Sequence, residues 1–259
     1  MPLLSDTSPA LPPSPLDPPL NESTLPAFQY RDVLCVLDIK YHIKRPPYSP
    51  IYLPLHYCSK LIASSFAVVD DRLVAKRGRL DAAYLRELGI MNQAKRLFHR
   101  KQEVPIYMNV GGDRADSANI SKALRDPASR RHLAAFIVNY TDSHIISGVH
   151  LDWDHPGAHC GDPQDAANLK DFIVDLQAMK MSNVMLSVPP SPDLVDLYNL
   201  NEIMDMLQLV IVKTHTLRPD NTLACTGDRP DAYAAFTAIR ANLSRIYHGK
   251  LAYSIQVQS

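Results

Sequence analysis

His150, Asp152 and Asp154 alternate along one short stretch, and His155 and His159 follow directly. Alternate side chains of an extended strand share a face, so the first three would project together. Imidazole beside carboxylate suits a divalent transition metal, with His215 as a further donor from elsewhere in the chain. The spacing matches no established ligand box, however, and polar alternation in a strand commonly forms a hydrogen-bonded barrel interior. A metal-dependent enzyme is therefore an alternative reading only, and neither a metal nor another cofactor is expected.

The elements that must carry these residues are legible as apolar runs separated by amphipathic stretches. Candidate strands cover 33–39, 60–69, 105–110, 146–152, 183–188, 209–213 and 251–257. They are rich in Val, Ile and Leu, as strands covered on both faces should be. Between them, Leu133, Phe136, Ile137 and Tyr140 fall at helical spacing, as do Leu169, Phe172, Ile173 and Leu176. Phe236, Ile239, Leu243 and Ile246 repeat it near the end. Strand and helix alternating in this way predict a parallel α/β architecture. No glycine-rich phosphate loop follows the first strand, which disfavours a dinucleotide fold.

Composition narrows the partners. The chain has 259 residues, with 27 basic and 27 acidic side chains, so its formal net charge is zero. Such a balance gives no electrostatic footprint for nucleic acid or an anionic membrane. No apolar run is long enough to span a bilayer. Residues 1–30 hold a dense set of prolines among Ser, Asp and Thr, and are expected to be a disordered or polyproline-like arm without signal-peptide character. Residues 31–259 are expected to form the folded domain. Asn21, Asn119, Asn139 and Asn242 each open a glycosylation sequon, and the four cysteines form an even set. Together these point to an extracellular or secretory-pathway location, with any leader or anchor outside this sequence.

The stretch Gly148-Val-His-Leu-Asp-Trp-Asp-His-Pro-Gly157 resembles the fourth-strand signature of glycoside hydrolase family 18, the chitinases and chitinase-like proteins, D-G-x-D-x-D-W-E-Y-P-G. Gly161-Asp-Pro-Gln-Asp-Ala-Ala-Asn-Leu-Lys-Asp-Phe resembles the helix that follows it, and Tyr107-Met-Asn-Val-Gly-Gly112 resembles the third strand, which ends S-x-G-G. Leu34-Cys-Val-Leu and Tyr57-Cys-Ser-Lys-Leu-Ile-Ala-Ser-Ser-Phe-Ala resemble the first two strands. The resemblance implies a TIM (β/α)8-type barrel, with its site at the C-terminal ends of the strands. About seven of the eight strands fall within this sequence. The eighth, which carries a tryptophan in the family, is expected to lie beyond it.

The resemblance also assigns roles. A family glutamic acid protonates the leaving oxygen while the substrate's acetamido oxygen attacks the sugar carbon, and an aspartate two residues earlier orients that acetamido group. Here Asp154 stands at the acid position and Asp152 at the orienting one, while His150 and Ser147 replace two further aspartates. Asp154 withdraws the carboxyl by one methylene, on the order of 1.5 Å, and misplacement of about 1 Å can cost roughly 100-fold. His150 introduces a potential cation, which would favour the charged form of a neighbouring carboxyl when a general acid needs the neutral one. Ile211-Val-Lys-Thr-His-Thr216 aligns with the family's M-T-Y-D, so His215 replaces its tyrosine and Thr216 its acetamido-holding aspartate. Gly111 and Gly112 are expected to line the site by relieving crowding beneath it, and Trp153 to pack between barrel and helices.

The reading that results is a chitinase-like protein, impaired or inactive in catalysis, that binds chitin or an N-acetylglucosamine-type carbohydrate. A weak or divergent chitinase is the alternative. The family carries paired cysteines on its first two strands, which implies a Cys35–Cys58 disulfide. Cys160 and Cys225 lie in loops expected on the C-terminal face and form a second candidate pair.

Overall fold

Seven apolar runs form parallel strands in chain order: β1 (Leu34–Leu37), β2 (Lys60–Val69), β4 (Ile106–Gly111), β5 (Gly148–Asp152), β6 (Val184–Val188), β7 (Leu209–Val212) and β8 (Leu251–Tyr253). The computed structural model describes residues 33–37, 57–76, 83, 85–90, 104–157, 161–217 and 230–254. The sheet runs β1-β2-β4-β5-β6-β7-β8, each strand parallel to its neighbours. With its helices it makes the greater part of a TIM-barrel-like wall, as the sequence predicts.

One strand departs from the expectation. β3 (Arg72–Ala75) turns back antiparallel onto β2, pairing Val69 with Arg72 across Asp70 and Asp71. Asp70 takes a left-handed φ of 56°, a conformation that Asp tolerates better than most residues and that two-residue hairpins favour. A turn without glycine is a weak signal in sequence.

The helices are set by caps as well as by their apolar faces. α1 (Arg114–Arg125) starts at Asp113, whose backbone N–H donates to Asp116 Oδ2 at 3.1 Å. α2 (Pro127–His144) has Asp126 accepting from Ser129 N at 2.8 Å and proline in its first turn, where a missing N–H costs nothing. It buries Leu133 and Ile137, and α3 (Asp165–Ala178) buries Leu169, Phe172, Ile173 and Leu176, four residues of one predicted stripe. Two short helices follow, α4 (Pro192–Val195) and α5 (Leu200–Ile203), and then α6 (Pro230–Ala241). The third predicted stripe overruns: α6 stops at Ala241, and Ile246 lies beyond it in a 3-10 turn, 76 % exposed. Asn242 and Ser244 favour a stop there, since both compete for backbone groups near helix ends.

Cys35 and Cys58 form a disulfide with Cα atoms 5.7 Å apart, joining β1 to the lead-in of β2. Closing a loop of 23 residues contributes roughly 3 kcal/mol by the chain-entropy account. The 1–30 arm, Asn21, His159, Cys160 and Cys225 lie outside the described residues. Among the described residues, no helix is long and apolar enough to cross a membrane.

Candidate active site at the strand ends

Side-chain parity divides the sheet into two cores. Leu61, Ile106, Met108, Val149, Leu151 and Trp153 face the helices and join the main hydrophobic cluster. Ile62, Tyr107, Met185 and Ile211 form a second, separate cluster on the opposite, inner face. Continuing that inner parity toward the C-terminal ends brings up Asn109, His150, Ser187, Asp152 and Lys213. The apolar floor therefore gives way to polar layers where a barrel carries its chemistry.

The lower polar layer is a hydrogen-bonded belt across adjacent strands. Asn109 Nδ2 reaches Ser65 Oγ at 3.5 Å, and its Oδ1 lies 2.7 Å from His150 Nδ1. His150 Nε2 lies 2.7 Å from Ser187 Oγ. Because Asn109 Oδ1 can only accept, the network assigns the proton to Nδ1 and leaves Nε2 to accept from the Ser187 hydroxyl. His150 is only 5 % exposed. Burial pushes its pKa down to about 4; Asp152 opposes that shift and Lys213 adds to it. His150 is thus a neutral structural link near neutral pH, and the anticipated cation is not this imidazole.

The cation is Lys213. Its Nζ donates to Asp152 Oδ1 at 2.9 Å and to Asp154 Oδ1. Lys213 follows β7 directly, its backbone N–H donating to Val188 O at 2.9 Å, and it is 9 % exposed. Burial alone would lower the pKa of this ammonium, but Asp152 and Asp154 outweigh it and hold the pKa above the ordinary lysine value. Sequence reasoning passed over Lys213. Its one signal was a lysine closing the apolar run Leu209–Val212, just before the aligned His215 and Thr216.

The other predicted residues fall around this pair. Gly111 and Gly112 have φ of 94° and 98°. A Cβ at Gly111 would stand 2.2 Å from Asp152 O, and one at Gly112 would stand 3.2 Å from Asp152 Oδ2. Gly112 N also donates to Asp152 O at 2.7 Å, so both glycines let β4 close against the end of β5. Thr216 is exposed, and its hydroxyl donates to Lys213 O at 2.8 Å. His215 lies in the same 3-10 turn, Thr214–Leu217. Trp153 packs among Val110, Ile120, Leu124, Leu133, Leu169 and Phe172 on the helix side, 2 % exposed. Among the described residues no three His, Cys, Asp or Glu side chains group as metal ligands. The carboxylates that such a site would need hold an ammonium instead.

A parallel sheet flanked by helices, with its polar cluster at the C-terminal strand ends, defines a protein of the (β/α) barrel class. The model of glycosyl hydrolases family 18 matches residues 39–257, and the chain belongs to that family. Its fold is similar to catalytic domain 2 of the Group II chitinase of Ostrinia furnacalis, with a TM-score of 0.66 at 18 % identity, covering 86 % of this chain and 63 % of that one. It is similar to a chitinase of Bacillus thuringiensis, with a TM-score of 0.65 at 14 % identity over 87 % of this chain and 48 % of that one. A family 18 N-acetylglucosaminidase of Paenibacillus barengoltzii gives a TM-score of 0.61 at 16 % identity over 86 % of this chain and 67 % of that one. The chain thus spans less than two thirds of the Ostrinia domain. No curated protein matches the sequence.

Proposed function

We propose that this is a chitinase-like family 18 protein that binds chitin or an N-acetylglucosamine-type carbohydrate and is impaired or inactive in hydrolysis. The observation that carries the reading is Lys213 Nζ seated between Asp152 and Asp154. A general acid must hold a proton that it can release to the leaving oxygen; Asp154 instead presents an oxygen to an ammonium. Asp152, at the orienting position, shares that ammonium. Thr216, at the acetamido-holding position, turns its hydroxyl to its own chain. The carbohydrate class is supported by relatives: a mutant of the Ostrinia Group II domain was solved with penta-N-acetylchitooctaose, and an Ostrinia Group IV chitinase with allosamidin.

Asp152, Asp154, His150, Gly111, Gly112, His215 and Thr216 remain the proposed site residues, with Lys213 added. An extracellular or secretory-pathway setting accords with the Cys35–Cys58 bond, because disulfides persist in oxidising compartments. The proposed glycosylation sites Asn119, Asn139 and Asn242 are exposed. The second reading, a weak hydrolase, draws on the half-buried carboxyl that Asp154 keeps at the acid position. Release from a chromogenic chitooligosaccharide, followed from acid to alkaline pH beside calorimetric binding of an uncleaved oligomer, separates the two. Binding without release is expected. Turnover within a hundredfold of an active family member would establish the hydrolase.

A further inference from the structure

The chain leaves β5 through a turn that needs support. His155 has a φ of 54° and Gly157 a φ of 72°, so the segment after Asp154 enters the left-handed region twice within three residues. A non-glycine residue in that region persists only where surrounding contacts over-determine it. Two contacts to this segment come from outside the sheet. Tyr198, in the 3-10 segment after α4, donates its O–H to Trp153 O at 2.5 Å, and Ser117 of α1 donates to Asp154 O.

The far side of the turn converges on one carboxylate. Asp165, in the first turn of α3, accepts from Gly157 N at 2.9 Å and from Asp162 N at 2.9 Å, both on Oδ2. Its Oδ1 accepts from Ser121 Oγ at 2.8 Å. Ser121 Oγ itself accepts from Asp162 N at 3.0 Å, so α1, α3 and both ends of the loop meet at a single point. Asp165 is 0 % exposed. Burying a carboxylate is costly unless donors surround it, and here three do. Its placement binds loop to helices, and nothing in the proposed chemistry requires that charge.

We infer that Asp165 is the positioning residue of this site: through Gly157 and Asp162 it fixes the turn that aims the Asp154 carboxyl at Lys213 and the strand ends. This deepens the carbohydrate reading and rests on it only for the ligand arm of the test. Asp165→Ala removes the shared acceptor, while Asp165→Asn keeps one oxygen and the shape. Leu176→Ala, a truncation of a fully buried side chain at the other end of α3, serves as a destabilised control with the loop anchors intact.

The measurements are amide exchange at Gly157 and Asp162, and calorimetric affinity for an N-acetylglucosamine oligomer, on full chains well below their melting temperatures. Asp165→Ala should speed exchange at Gly157 by on the order of a hundredfold. Oligomer affinity should fall by about tenfold or more. Asp165→Asn should recover part of both, and Leu176→Ala should change neither beyond its general loss of stability. If Leu176→Ala loosens Gly157 as much as Asp165→Ala does, Asp165 is merely structural and the inference fails. If the unaltered protein binds no oligomer, the carbohydrate reading falls, and the exchange comparison alone decides for or against Asp165.

Discussion

β5 has two faces, and they have fared differently. On the helix side, Val149, Leu151 and Trp153 are buried in the main core. On the inner side, His150, Asp152 and Asp154 meet Asn109, Ser187 and Lys213 in place of the family's carboxyl cluster. Packing constrains shape and apolarity, so the first face keeps the family's tryptophan. Chemistry constrains particular groups at particular distances, and once those are exchanged the scaffold still stands. Packing and polar contacts are separable along one segment, because adjacent residues point into different environments.

The contrast can be broken most forcefully at Trp153. Trp153→Ala empties a large fully buried side chain and should cost about 3–5 kcal/mol in urea unfolding, with a loss well under 1 kcal/mol placing stability elsewhere.

Acid should find the inner face next. The His150 pKa is about 4 in the folded chain against an ordinary 6.5, so between these values the unfolded chain binds more protons. Stability is full above the ordinary value and falls as pH drops from about 6.5 to about 4, by roughly 3 kcal/mol at this group. His150→Gln should flatten that segment of the pH–stability profile. An unchanged slope would remove the neutral imidazole from the account.

Lys213→Met should cost about 2 kcal/mol, less than the roughly 3–5 of a fully buried pair, because the two carboxyls keep some access to water. Thermal melts at low and high salt would check it, since the unrelieved carboxylate repulsion should ease with ionic strength.

The smallest effect belongs to Asp154→Glu. Restoring the family's side-chain length should return almost no hydrolysis of a chitooligosaccharide, because Lys213, His150 and Thr216 remain and such residues act as a unit. A gain of several hundredfold would mean that one methylene is the dominant defect.

Local pattern made most of the scaffold legible. Apolar runs marked all seven parallel strands, β2 to its ends, and helical spacing marked α2 and α3. β3 was missed because its turn is Asp-Asp, and the last stripe overran because spacing alone does not register the stop after Ala241. The site was half legible. Asp152, Asp154 and His150 share a face by parity along one strand. Lys213 meets them from β7, two strands away, and that meeting depends on register, which linear spacing does not encode. For the same reason His150 could be read as a cation: its burial and its bonds to Asn109 and Ser187 come from two other strands.

Trp153 is the chain's one tryptophan, and its indole Nε1 is buried with no hydrogen-bond partner among the described residues. Its light is therefore the light of a single place, the residue between the two carboxyls. An indole in so dry a setting emits toward the blue, and any event that admits water behind β5 moves the emission red. The molecule carries its own lamp at the joint between scaffold and site, with no label to attach, provided that the exciting light is red enough to pass over its twelve tyrosines.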